Sequence, residues 1–195
     1  MPLNAGNQVF EVIKPQSAGC TLNIDTKNWL EAELRSDHAG ESGAIAICEG
    51  ILRITRDPEL ISFALNHRQT EKRHLAWVEE IVPVAGRSRL TFVWKIAGFI
   101  TGCLPALFGR NAVYATIDAV ETFVESHYTS QIDRLATDEA ASGLRSLLVR
   151  CRDDEIKHRD QARNFTTEPS GYFLSVWCWM VGIGSAAAVS LARKI

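Results

Sequence analysis

At 195 residues with a formal net charge of −2, the chain is long enough for one domain with a real hydrophobic core, and its charge is near neutral. That balance excludes the strongly basic footprint of a nucleic-acid-binding protein. Five cysteines, odd in number and without a C-x-x-C pair, exclude a disulfide scaffold and fit reduced, mostly buried thiols in a cytosol-facing compartment.

Residues 1–25 contain Pro2, Gly6, Pro15 and Gly19 and read as a loose arm, neither a secretory signal nor an Arg-rich presequence. Residues 26–195 are expected to form the domain. The first helix is predicted from about Lys27 to Arg53. Asp57-Pro58 is a start signal for the second, with Asp as N-cap and Pro at the first helical position, and that helix should stop before Pro83. An apolar stretch follows from Leu90 to Phe108, interrupted by Lys95, Gly98, Gly102 and Pro105. Another helix is predicted from about Asn111 to Leu135. The next starts at Thr137-Asp138-Glu139, where the acids complement the helix dipole, and runs to about Asn164. Pro169-Ser170-Gly171 opens a last helix. No strand-like alternation competes, so the fold class is all-α.

Gly171–Ala192 holds 22 residues without a charge. As a helix it would be ~33 Å long, about the thickness of a hydrocarbon core. With Leu90–Phe108 it forms a pair of apolar segments expected to dock on a membrane surface, with Trp94, Leu104, Trp177 and Trp179 as contacts. Burial in the bundle core and a single bilayer span are the competing readings.

The chemistry lies in a Glu-x-x-His that occurs twice, as Glu71-Lys72-Arg73-His74 and Glu155-Ile156-Lys157-His158. Positions i and i+3 share a helix face, so each copy aims a carboxylate and an imidazole at one point. A lone Glu precedes each copy by about one helical hairpin: Glu41 and Glu121. Solvent-facing pairs would look the same in isolation. Glu, Glu-x-x-His, Glu and Glu-x-x-His on four helices, however, is the ligand set of a carboxylate-bridged di-iron bundle. Hard oxygen donors with imidazole suit iron in both oxidation states, and four carboxylates nearly neutralise two ferrous ions.

The run Asp37-His38-Ala39-Gly40-Glu41-Ser42-Gly43-Ala44 resembles the demethoxyubiquinone hydroxylase family, ferritin-like di-iron monooxygenases of ubiquinone biosynthesis. Glu71-x-x-His74-Leu75, Ala119-Val120-Glu121 with His127-Tyr128 and Gln131-Ile132, and Arg152-Asp153-x-Glu155-x-x-His158-x-Asp160 match its further motifs in order. The resemblance covers roughly residues 30 to 195. Ser42, Ile51 and the Ser88–Trp94 approach depart from the pattern, away from the ligands.

The resemblance implies a ferritin-like four-helix bundle with two additional apolar helices for membrane docking. It implies two Fe ions, with Glu41 and Glu121 as terminal carboxylates, Glu71 and Glu155 as bridges, and His74 and His158 as imidazole ligands. Asp37, His38, His127 and Tyr128 become candidates for orienting ligands or lining the pocket, and Asp154 or Asp160 for holding a ligand imidazole. His67 lacks any partner pattern and reads as surface. The implied reaction inserts one oxygen atom of O2 into a polyprenyl benzoquinone ring, with electrons from NADH or another donor. The chain has no Rossmann glycine fingerprint. The implied setting is the cytoplasmic face of a bacterial inner membrane, or the matrix side of the mitochondrial inner membrane in a eukaryote. A lipid-binding accessory protein and a homo-oligomer are possible partners. The rival readings are a ferroxidase or iron-handling protein, a di-iron quinol oxidase, and a metal-free lipid-binding module.

Overall fold

The computed structural model describes residues 24–166 and 171–195. Nearly all of the expected arm, together with Pro169 and Ser170, lies outside them. The described residues form six α-helices and no strand: α1 Ile24–Ile54, α2 Pro58–Ile81, α3 Thr91–Ala106, α4 Arg110–Arg134, α5 Ser142–Phe165 and α6 Tyr172–Ala192. This is the all-α class that the periodicity predicts, and the bundle is ferritin-like. Hairpin α1–α2 and hairpin α4–α5 make the four-helix bundle, α3 packs along α1, and α6 packs on α4 and α1.

Local signals explain most boundaries. The Asp57 side chain accepts from the backbone N–H groups of Glu59 (2.9 Å) and Leu60 (3.3 Å), with Pro58 at the first position of α2. The start of α5 departs from expectation. The Asp138 carboxylate accepts from Ala140 N–H at 3.0 Å and caps a short 3-10 turn, Glu139–Ala141. The α-helix then begins at Ser142. A side-chain bond two residues ahead tightens the turn before α-helical spacing can set in.

The bundle core is apolar at both ends. One end buries Leu34, Val78, Leu135, Leu144 and Leu147, and the other buries Ile51, Leu60, Phe63, Val113 and Ile117. Between them lies a buried polar layer containing Glu41, Glu71, His74, Glu121, Glu155 and His158. Two packed ends therefore hold the polar middle away from water.

Helices α1 and α3 approach closely because glycines face the contact. A Cβ on Gly98 would lie 2.3 Å from the Gly43 carbonyl oxygen, and one on Gly102 would lie 2.0 Å from that of Ile47. Any side chain there must force the backbones apart. Gly102→Val should therefore destabilise the fold by about 3 kcal/mol. A thermal melt of the full chain in detergent checks this; an unchanged melting temperature would mean that Gly102 does not set the spacing.

The apolar helices divide their surfaces. On α3, Phe92, Ile96 and Ile100 are exposed while Trp94, Gly98 and Gly102 are buried. Trp94, expected as a membrane contact, is only 9% exposed, and its indole N–H donates to Ser88 Oγ at 2.9 Å. A serine six residues earlier satisfies its polar edge, so the ring packs inward with Ala39 and Ala192. Trp177 also turns partly inward, donating to Thr116 Oγ1 on α4 at 2.9 Å. Leu104 and Trp179 are exposed, Trp179 by 66%. Along α6 only Ala192 is buried, although its 21 residues are long and apolar enough to cross a membrane.

Candidate metal centre and cavity

Each helix of the bundle delivers its donors to the same layer. Helix α1 brings Glu41, α2 brings Glu71 and His74, α4 brings Glu121, and α5 brings Glu155 and His158. Their ligand atoms fall into two groups, each within 4.8 Å: Glu41, Glu71, His74 and Glu155; and His67, Glu71, Glu121, Glu155 and His158. Glu71 and Glu155 belong to both. The structure thus brings all six expected donors together and adds a seventh residue.

Several donor atoms are close without being hydrogen-bonded in the ordinary way. His74 Nδ1 lies 2.9 Å from Glu155 Oε1, yet neither atom makes an aligned hydrogen bond, and both are buried. Glu41 Oε2 and Glu71 Oε1 are likewise buried without a hydrogen-bond partner. Orphaned buried carboxylate oxygens are costly, and several together are accounted for by a cation between them. The donor set therefore fits two adjacent metal ions that share Glu71 and Glu155.

Without metal the cluster must hold protons. Burial, and then the Glu71 carboxylate, push Glu41 well above the usual carboxylate range. Burial, and then the Glu155 charge, push Glu121 up to about 7. For His74 burial opposes protonation, but the neighbouring Asp154 and Glu155 carboxylates and the charges of Glu41 and Glu71 outweigh it and push the imidazole up to about 11. Glu71 goes the other way: burial is overcome by the His158 and His67 imidazoles beside it, which hold it well below its ordinary value.

The surrounding residues sort themselves by contact. Tyr128 OH donates to Glu41 Oε1. Burial, and then the Glu41 charge, keep this phenol protonated far above its ordinary value. Asp37 Oδ1 lies 2.9 Å from His127 Nε2 and accepts from Gln131 Nε2 at 2.8 Å. Asp154 Oδ2 faces His74 Nε2 at 3.4 Å and is tied to Arg73 at 2.8 Å, so Asp154 supports this imidazole while Asp160 pairs with Arg159 at the surface. His38 does not join the site. It is buried, but it pairs with Glu79 at 3.4 Å and neither clusters with the donors nor lines the cavity. Its position within one turn of Glu41 gave the expectation, but the imidazole turns to the end of α2.

His67, expected at the surface, is 2% exposed and lies inside the cluster, with Nε2 2.9 Å from Glu71 Oε1 and 3.0 Å from Glu121 Oε1. The signal was available: His67 precedes Glu71 by four residues and so shares its helix face.

A cavity of about 400 Å3 opens onto the carboxylates. Glu41, Glu71, Glu121 and Glu155 reach it, with Tyr128 and His127 beside them, whereas His67, His74 and His158 do not line it. Its walls come from α1 (Gly43, Ile47), α3 (Gly98, Thr101) and α6 (Val181, Gly184), and they are predominantly apolar. The polar chemistry is therefore confined to one end of a greasy chamber.

Known proteins are similar to this chain in sequence. The family described as ubiquinone biosynthesis protein COQ7 matches residues 28–192. The NADPH-dependent 3-demethoxyubiquinone 3-hydroxylase, mitochondrial, of Homo sapiens is 31% identical over 188 residues, covering 94% of this chain and 86% of its own length. The protein of the same name in Caenorhabditis elegans is 29% identical over 170 residues, 85% of this chain and 90% of its own length. The 3-demethoxyubiquinol 3-hydroxylase of Rhodospirillum rubrum is 35% identical over 135 residues, 67% of this chain and 62% of its own length. With a family match over nearly the whole domain, the chain belongs to the COQ7 family of ubiquinone biosynthesis proteins, the demethoxyubiquinone hydroxylases.

Proposed function

We propose that this chain is a di-iron monooxygenase that hydroxylates the ring of demethoxyubiquinone. The observation that carries the reading is the buried cluster of four carboxylates and two imidazoles whose carboxylates line an apolar cavity. Glu71 and Glu155 would be shared by both metals, Glu41 with His74 would complete one position, and Glu121 with His158 the other. Bound iron would supply dioxygen activation. The reaction balances when one oxygen atom enters a ring C–H as hydroxyl and the other leaves as water, consuming two electrons and two protons.

The chain's own residues supply positioning and proton handling. Gly43 and Gly98, where α1 and α3 pack backbone to backbone, add no side-chain bulk to the cavity wall, and the apolar lining disfavours water. Tyr128 OH holds Glu41 Oε1 in place. His127, whose Nε2 pairs with Asp37, lines the cavity outside the donor cluster and is a group through which a proton could pass. The relatives named above as NADPH-dependent support NADPH as the electron source, within the expectation of NADH or another donor. An iron-handling subunit has no use for a chamber of this apolar character.

A polyprenyl substrate resides in lipid, and α3 and α6 line the cavity while exposing Phe92, Ile100, Phe173 and Trp179 outward. We therefore place the membrane surface against these two helices, with the quinone entering between them. A Phe173→Glu/Trp179→Glu variant should lose most co-sedimentation with anionic liposomes while staying folded. Undiminished sedimentation would remove α6 from the docking face.

The substrate is tested in a strain lacking demethoxyubiquinone hydroxylase. The wild-type gene should convert the accumulated demethoxy intermediate to ubiquinone, and Glu155→Ala should not. Persistence of the intermediate despite expressed, iron-loaded protein would overturn the substrate and favour a di-iron quinol oxidase.

A further inference from the structure

We propose that His67 is a third imidazole ligand, on the metal position formed by Glu121 and His158 with the shared Glu71 and Glu155. The proposal rests on the di-iron reading above and adds a ligand to the six that the family resemblance supplies.

Four observations converge on it. First, His67 is buried at the level of the donors and precedes Glu71 by one helical turn, so α2 presents His67, Glu71 and His74 along one face. Second, its Nε2 lies 2.9 Å from Glu71 Oε1 and 3.0 Å from Glu121 Oε1, and His158 Nδ1 approaches the same Glu71 oxygen at 3.3 Å. Two imidazole nitrogens thus converge on one carboxylate oxygen. Glu71 Oε1 nevertheless makes no aligned hydrogen bond, although it is buried. Third, the rings of His67 and His158 stack with centroids 3.7 Å apart and planes inclined by 28°. Near-parallel rings can direct neighbouring nitrogens at one ion. Fourth, His67 Nδ1 is buried and has no hydrogen-bond partner among the described residues, which leaves Nε2 as the nitrogen that meets polar neighbours.

The geometry also fixes which side of the centre the extra ligand takes. None of the three imidazoles lines the cavity, whereas all four carboxylates do. His67 therefore occupies the side away from the substrate. The two metal positions become unequal: one has a single imidazole and the other has two. A neutral nitrogen donor adds affinity for iron without adding charge.

The competing role is a hydrogen-bond donor that steadies Glu71 and Glu121 without touching metal. Counting imidazole nitrogens separates the two. The full-length protein in detergent is loaded anaerobically with ferrous iron, brought to the mixed-valence state, and studied by electron–nuclear double resonance with and without 15N-histidine. The wild type should show three coupled imidazole nitrogens. His67→Gln keeps a donor to the carboxylates but has no imidazole. It should show two couplings, unchanged circular dichroism, and iron release to a chelator at least about tenfold faster. Two couplings in a wild-type protein that binds two irons would overturn the proposal and leave the di-iron reading standing. A wild-type protein that binds no iron would overturn both. The wild-type count decides the matter even where the variant fails to fold.

Discussion

Glu155→Ala should lower bound iron from two per chain to below one and reduce quinone hydroxylation on the order of 10³-fold or more. The expectation follows from position rather than charge alone. Glu155 belongs to both groups of donors, is fully buried, and is within 2.9 Å of His74 and 3.1 Å of His158. Its removal thins both metal positions at once and leaves Glu71 as the only shared carboxylate. Glu121→Ala gives the contrast. Glu121 belongs to one group only, so this variant should keep one iron on the Glu41–His74 side and lose the other. Elemental analysis of the two purified variants, side by side, checks the assignment. Two irons retained in Glu155→Ala would remove Glu155 from the shared position.

Iron affinity should rise steeply with pH, roughly tenfold per pH unit for every proton displaced. The cluster without metal holds protons on groups that can ligate only without them. His74, at about 11, is protonated throughout the neutral range, Glu121, at about 7, is half protonated at neutrality, and Glu41 lies well above its ordinary value. Iron must expel these protons. The dependence from Glu121 levels off above about pH 7, while that from His74 continues towards about 11. Anaerobic ferrous titrations at pH 6 and pH 8 in two buffers of different ionisation enthalpy measure both the slope and the proton count. A flat profile would show that the metal-free cluster is already deprotonated.

The same protons steady the metal-free fold, with a definite sign. His74 is raised from its ordinary value near ~6.5, so its contribution is fully present below that pH and is lost as pH climbs through about 11. Glu121 contributes in the same sense, fully below ~4.5 and lost as pH passes about 7.

Residues that speak through local spacing were legible in the sequence. Asp57-Pro58 declared the start of α2, and the two Glu-x-x-His copies declared which helix faces converge. Residues whose partners lie far along the chain were not. His67 shares its face with Glu71, but its meaning depends on Glu121 and His158, 54 and 91 positions later, which only the folded bundle brings near. Trp94 misled for the opposite reason. Its composition suits an interface, but the Ser88 hydroxyl provides what its N–H needs indoors. His38 has the right spacing from Glu41, yet Glu79 at the far end of α2 captures it. The start of α5 slipped because the Asp138 bond to Ala140 is a turn signal as much as a helix signal.

Every donor sits on α1, α2, α4 or α5, whereas most of the exposed large apolar side chains belong to α3 and α6. The donors and this outward apolar surface are therefore two separate sets of side chains. Under the proposed membrane docking, changes on the outer faces of α3 and α6 would alter the fit to the bilayer without replacing a single donor side chain. Only the inner edges of these two helices, at Gly98, Gly102 and Trp177, are bound to the bundle tightly enough to resist such drift. Adaptation to a membrane and fidelity of the chemistry can thus proceed independently in this chain.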